Sequence, residues 1–258
     1  MLGFTPLNSN RENLGGLKIA ALYGIYPHRL GFCGVKRGSN ASQIYNFLLG
    51  KKVSQRKIRK ILEGFKGAFF YYKLIAKCNN IQDPFDERVV KAYWIGNSLL
   101  EKVRTEDLRK MIIRDFSRPG LLPKEIALKK AQEIPENSKP HHSFHVLVIG
   151  SVTGRIKLKG KLLDLCRVGW GKVRKLKIGN CKLKIVVEYQ SLVGNKILKL
   201  GKLIEKEIFW DKKLISEIKV GDWVSFHWNH LVQKLNKGET RNLEYYTGIT
   251  LKSLAGKP

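Results

Sequence analysis

The sequence has 258 residues, 43% of them hydrophobic, and a formal net charge of +28. That length has room for one large domain or two small ones, and no window approaches the ~18 uncharged apolar residues of a membrane-spanning helix. The opening residues, Met1-Leu2-Gly3-Phe4-Thr5-Pro6, lack the basic segment and apolar stretch of an export signal, so a cytoplasmic protein is expected. Its four scattered cysteines, Cys33, Cys78, Cys166 and Cys181, are then expected to be reduced thiols.

The basic charge is not gathered in a tail, since residues 1–139 and 140–258 each carry a net +14. Its densest runs are Lys51 to Lys60 and Arg155 to Lys184, and the second alternates Lys with apolar residues. A solvated basic surface is the first expectation. Nucleic acid and an acidic protein partner are the alternatives.

The first half has helical periodicity. Residues 12–26 form an apolar helix that includes Leu14, Leu17 and Tyr23 and is closed by Pro27, and residues 40–49 form a second, capped by Asn40 or Ser42. Ser54 opens a long third helix whose stripe runs unbroken through Ile58, Ile61, Leu62, Phe65, Phe69, Tyr72 and Ile75. A fourth begins at Asp86 and carries Val89, Val90, Tyr93, Trp94, Leu99 and Leu100. Thr105 caps a fifth through about Phe116, and Pro123 starts a short sixth. Residues 134–140 form a turn-rich linker.

Beyond it the period falls to two. Phe144 to Ile149 is expected as an apolar strand and Arg155 to Leu162 as an alternating one. Further strands follow at about 163–169, 172–178, 181–190, 196–200, 203–210 and 222–229, each bounded by Gly or Asn turns. Thr240 then caps a last helix carrying Leu243, Tyr246, Thr250 and Leu254. The expected fold class is α+β. An all-α domain over residues 1–135 precedes an OB-like β-barrel domain over 136–258 that ends in a helix.

Two segments of the second half carry chemistry. Cys166 precedes the glycine-rich Gly169-Trp170-Gly171-Lys172, and a thiolate there would be a soft ligand for iron, copper(I) or zinc. His227 lies in the strand Val224 to Trp228, facing away from its apolar neighbours. Apart from these, His141-His142-Ser143-Phe144-His145, taken as a strand, puts His141 and His145 on one face and turns His142 away. Two such imidazoles can chelate a metal if Cys33, His28 or His230 supplies a third ligand. That arrangement would suit a metal-dependent enzyme. The segment Tyr23 to Gly34 gathers His28, Arg29 and Cys33 in one helix-to-loop stretch. Asp83 and Asp86 flank a helix start, where Asp86 suits an N-cap. There is no phosphate loop, dinucleotide fingerprint, nucleophile elbow or kinase signature.

Taken together, Cys166 with Gly171-Lys172-Val173, and Gly221-Asp222-Trp223-Val224 with His227, Lys234-Leu235-Asn236 and Glu239, resemble the HypC/HupF family of [NiFe]-hydrogenase maturation chaperones. The resemblance covers about residues 163–255. It implies a small barrel that carries an Fe(CN)2(CO) unit, or another transition metal, between an assembly scaffold and a metalloenzyme subunit. Cys166 would then be the iron ligand, His227 its polar partner, and Trp170, Gly171, Lys172 and Trp228 the partner-facing positions. The family's cysteine is N-terminal, whereas Cys166 is internal, and Trp170 stands where the family has proline.

Overall fold

Where apolar residues recur at every third and fourth position, a helix needs neighbours to cover its stripe, and the first half of the chain provides several. The computed structural model describes residues 12–35, 38–178, 183–195 and 197–255. Helices α1 (Glu12–Arg29), α2 (Asn40–Leu48), α3 (Gln55–Glu63), α4 (Lys66–Cys78), α5 (Glu87–Trp94), α6 (Thr105–Asp115) and α7 (Lys124–Glu133) all contribute to this half. The middle of α1 is deeply buried at Ala21, Tyr23 and Ile25, with α2, α3 and α5 packed against it. Among the described residues no helix is long and apolar enough to cross a membrane.

Several boundaries differ from the periodicity, each for a local reason. Pro27 does not close α1, which runs on to Arg29. Proline has no N–H for the carbonyl four residues earlier, so the helix leaves Tyr23 O open to another donor. The expected long third helix is two helices, α3 and α4, broken at Gly64 and Phe65. Glycine weakens the helix there, and the Phe65 ring closes on α1, where a Cβ on Gly24 would approach it to 2.9 Å. Asp86 caps α5 by accepting from Arg88 N at 2.8 Å. Leu99 and Leu100 fall in a separate 3-10 turn, Ser98–Leu100, that Asn97 caps.

The expected strands at Phe144–Ile149, Arg155–Leu162 and 163–169 are not strands. Residues 142–149 form a short helix α8 (His142–Phe144) that widens into a π turn, His145–Ile149. All the side chains from His141 to Val146 are buried, so burial has no period there for a sequence pattern to follow. Residues 155–158 are irregular and lead into helix α9 (Lys161–Cys166).

The remaining strands are β1 (Gly169–Ile178), β2 (Leu183–Val193), β3 (Lys199–Phe209), β4 (Trp223–His227) and β5 (His230–Leu235). They close into a barrel in the order β1-β2-β3-β5-β4, with β1 pairing β4 to complete the ring. All neighbours are antiparallel except β3 and β5, which meet in parallel at Phe209 and His230. β3 unites the two strands expected at 196–200 and 203–210, while Cys181 and the start of the strand expected at 181–190 lie outside the described residues. β4 turns into β5 through Trp228 and Asn229, with φ of 52° and 60°, the left-handed pair that a tight hairpin requires. The last helix, α10 (Lys237–Ala255), starts before Thr240. Asn236 and Glu239 cap each other there, Glu239 N donating to Asn236 Oδ1 at 2.9 Å and Asn236 N to Glu239 Oε2 at 3.0 Å.

Two hydrophobic clusters result. Val173, Ile185, Val187, Ile208, Val224, Phe226 and Leu231 fill the barrel. The larger cluster joins the helices to Cys166, Val168, Trp228, Val232, Leu235 and α10, so the barrel is seated on the helical half by one flank. Phe226 is buried in the barrel, and Gly169 leaves room for its ring. Phe226→Ala is expected to lower stability by about 3–5 kcal/mol, measured as a shift in the urea midpoint with little change in slope.

Candidate metal centre

The seam between helices and barrel brings three side chains together from distant parts of the sequence. His142 comes from the first turn of α8, Cys166 from the last residue of α9, and His227 from the end of β4. A ring nitrogen of each histidine and the Cys166 sulfur lie within 4.8 Å of one another, and all three residues are buried. His142 is fixed by Tyr93 of α5, whose hydroxyl lies 3.0 Å from Nδ1, and His227 by Tyr23 O, 2.7 Å from its Nδ1. That is the carbonyl which Pro27 leaves without a helix donor. Both Nε2 atoms then face one acceptor, Cys166 O, at 2.8 Å from His142 and 2.7 Å from His227.

Proton counting shows what this arrangement lacks. Tyr93 also donates its hydroxyl hydrogen to Gly67 O at 2.7 Å. The chain of contacts from Tyr23 O through His227, Cys166 O, His142 and Tyr93 to Gly67 O has five links. Only three protons are available to it: one on each neutral imidazole and one on Tyr93. Satisfying Tyr23 O, Tyr93 and Gly67 O uses all three and puts both shortfalls at Cys166. There, two Nε2 lone pairs face a carbonyl oxygen. A cation among these atoms relieves that repulsion, and an imidazole that ligates through one nitrogen while donating through the other is the usual metal-binding form.

Protonation is a poor substitute for a metal here. Burial pulls His227 down to about 4, against the raising effect of its two carbonyl contacts. Burial also holds His142 well below the ordinary histidine range, reinforced by His227 and His145. The Cys166 thiol is pushed well above its usual value by burial and by Cys33, with the Trp228 indole opposing. The cluster by itself is thus neutral at pH 7, and a metal would have to displace the thiol proton to use the sulfur. Two imidazoles and a thiolate suit zinc, iron or copper rather than magnesium or calcium.

The other candidate residues are placed differently. His141 and His145 do not share a face of a strand. His141 accepts from Ser143 N at 3.3 Å and stacks on Tyr246, while His145 meets Tyr71 Oη at 3.3 Å. Burial lowers each to about 3. The clustered histidine that joins Cys166 and His227 is His142, which the strand pattern turned away. Cys33 lies near the cluster but outside it, on the wall of a cavity that also reaches His142 and Cys166. His28 donates from Nδ1 to Cys33 O at 2.9 Å, and Arg29 stacks over Tyr45 at 4.7 Å. His230 stacks on Tyr26 with ring centroids 3.6 Å apart, away from the cluster. Asp83 pairs with Arg59 and accepts from Phe85 N, and Asp86 pairs with Arg88, so both hold the entry to α5. Trp170, Gly171 and Lys172 lie along β1 with Gly171 buried, and Trp228 is buried beside Cys166.

A family described as a family of unknown function (DUF6390) matches residues 12–257. The chain belongs to the DUF6390 family. No curated protein and no solved structure matches it. The DUF6390 match takes in His142, Cys166 and His227 together with Tyr23, Pro27 and Tyr93.

Two outcomes are expected. Tyr93→Phe removes the group that orients His142 and is expected to weaken Zn(II) or Co(II) binding about 10–100-fold in competition with a chelator, with the fold retained by circular dichroism. Acid is expected to unfold the metal-free protein early. His141, His142, His145 and His227 all have folded-state values below the ordinary 6.5, so stability is complete above pH 6.5 and falls as the unfolded chain takes up protons below it. At pH 5.5 each contributes a loss of about 1.4 kcal/mol. Four together rival the ~5–15 kcal/mol of a typical domain. Urea midpoints between pH 7.5 and 5 would reveal this, and a flat profile would contradict the burial of these rings.

Proposed function

We propose that this chain is an accessory protein of metalloenzyme maturation, binding a transition metal, with iron foremost, through Cys166, His227 and His142. The observation that carries this reading is the convergence of both Nε2 atoms on Cys166. The motif pair Cys166 and His227 is separated by 61 residues yet shares one site. The barrel supports the same reading. Its five strands close into a small barrel in the order β1-β2-β3-β5-β4, in keeping with the small barrel this reading calls for. The cargo would be an iron ion, received from a scaffold and passed to a metalloenzyme subunit.

The helical half gives this reading a feature the small barrel alone would lack. His142 and Tyr93 come from that half, so cargo held at Cys166 is enclosed by the helices rather than displayed at a chain end. Anaerobic equilibrium dialysis with Fe(II) is expected to give one ion per wild-type chain. Cys166→Ala is expected to lose that ion and the capture of a hydrogenase large subunit or scaffold in a defined mixture of purified proteins. Unchanged iron binding and unchanged capture by Cys166→Ala would reject the proposal.

A further inference from the structure

Three protein donors leave a four-coordinate centre one ligand short. A cavity of about 70 Å3 opens beside the cluster, lined by His142 and Cys166 together with Cys33, Lys66, Val152 and Trp228. One water needs ~10–15 Å3 of such space, so there is room for a few atoms and none for an organic cofactor. The cavity opens from the helical side, and His227 is not among its lining residues.

Trp228 marks this cavity as more than a packing defect. Its Nε1–H is buried beside the Cys166 sulfur and meets no oxygen or nitrogen acceptor among the described residues, although a buried indole normally finds one. The same residue holds a φ of 52°, a conformation unusual for a bulky side chain. The hairpin thus places a buried indole donor on the same cavity wall as the Cys166 sulfur. Charge gives the ligand its sign. A divalent ion with one thiolate and two neutral imidazoles carries a net positive charge in a buried place. Among the described residues no carboxylate lines the cavity, and the one ionic wall residue is Lys66.

We infer that the cavity takes a small anion of one to three heavy atoms, bound to the cation at its open position and hydrogen-bonded by Trp228 Nε1–H. This rests on the metal reading above and goes beyond it in naming an exogenous ligand and the residue that receives it. The anion neutralises the buried charge and satisfies the indole donor together.

The test uses the full chain loaded with one equivalent of Co(II) and titrated with sodium azide, following the cobalt d–d bands. A saturable shift with one azide per cobalt is expected. Trp228→Phe should still bind one cobalt but bind azide about tenfold more weakly or worse, the loss of one hydrogen bond to a charged group. Should that variant fail to fold, the wild-type titration stands by itself, and Lys66→Gln is expected to weaken azide a few-fold. Cobalt bound with no azide response would overturn the inference while leaving the metal site intact. A second thiolate-to-cobalt charge-transfer contribution that vanishes in Cys33→Ser would overturn it too, by filling the open position from the chain. No cobalt binding at all would remove both the metal reading and the inference built on it.

Discussion

Two imidazoles buried against one carbonyl oxygen are the constraint around which the rest of this protein is arranged. Cys166 O receives His142 and His227, one from the helical half and one from the barrel, so their relative position is fixed at a single atom. The contact is unfavourable if the protein is left to its own protons, because five close contacts share three hydrogens. Folded proteins rarely keep buried polar groups in such a state without a use for them. With the tautomers that satisfy Tyr23 O and Gly67 O the deficit falls at Cys166 O, next to a thiol, where a soft cation would relieve it.

The surrounding sequence sustains this arrangement in ways that concern backbone as much as side chains. Pro27 deletes one helix donor and thereby leaves Tyr23 O for His227, while Tyr23 Oη bonds Ser225 Oγ at 2.8 Å and ties α1 to β4 a second time. Tyr23 also stacks on Trp94, 4.6 Å between centroids, and Trp94 donates to Tyr72 Oη at 2.6 Å. An aromatic layer thus runs from α4 and α5 to the barrel flank. On the far side, α10 closes the seam through Ser143 Oγ and Thr247 Oγ1, 2.8 Å apart. The +28 charge plays no part in this layer, whose only ionisable groups are neutral when buried.

How much of this was legible in the sequence depends on the range of the interaction. The helices of the first half and the strands from Gly169 onward follow from periodicity, because each element has one covered face and one wet one. The small barrel was within reach for a related reason, since turn residues mark its strand ends, and motif order brought Cys166 and His227 together even though Cys166 ends helix α9 and not a strand. Residues 141–149 were not, because burial on every side erases the pattern that separates helix from strand. Reading them as a strand put His141 and His145 together, whereas a helical turn puts His142 in the site. Arg155–Leu162 misled in the opposite sense: Lys alternating with Ile and Leu imitates a strand, yet the apolar members pack on the helical core without strand partners among the described residues. Tyr93 and Tyr23 O had no local signal, because their role exists only once the halves meet.

An internal, buried cysteine also says something about exchange. A carrier whose thiol sits at a free chain end can present cargo by moving that end, and Cys166 has no such freedom at the foot of α9. On the proposed carrier reading, release would instead pass through the cavity wall formed after α1 by Phe32, Cys33 and Gly34. That stretch is held by His28 Nδ1–H to Cys33 O at 2.9 Å and by Arg155 to Gly34 O, with left-handed glycines at Gly31 and Gly34 to absorb a change of path. Opening there would expose Cys33 and Cys166 together and restore water to both histidines. On the same reading, loading and unloading would be coupled to the movement of this short segment rather than to rearrangement of the barrel.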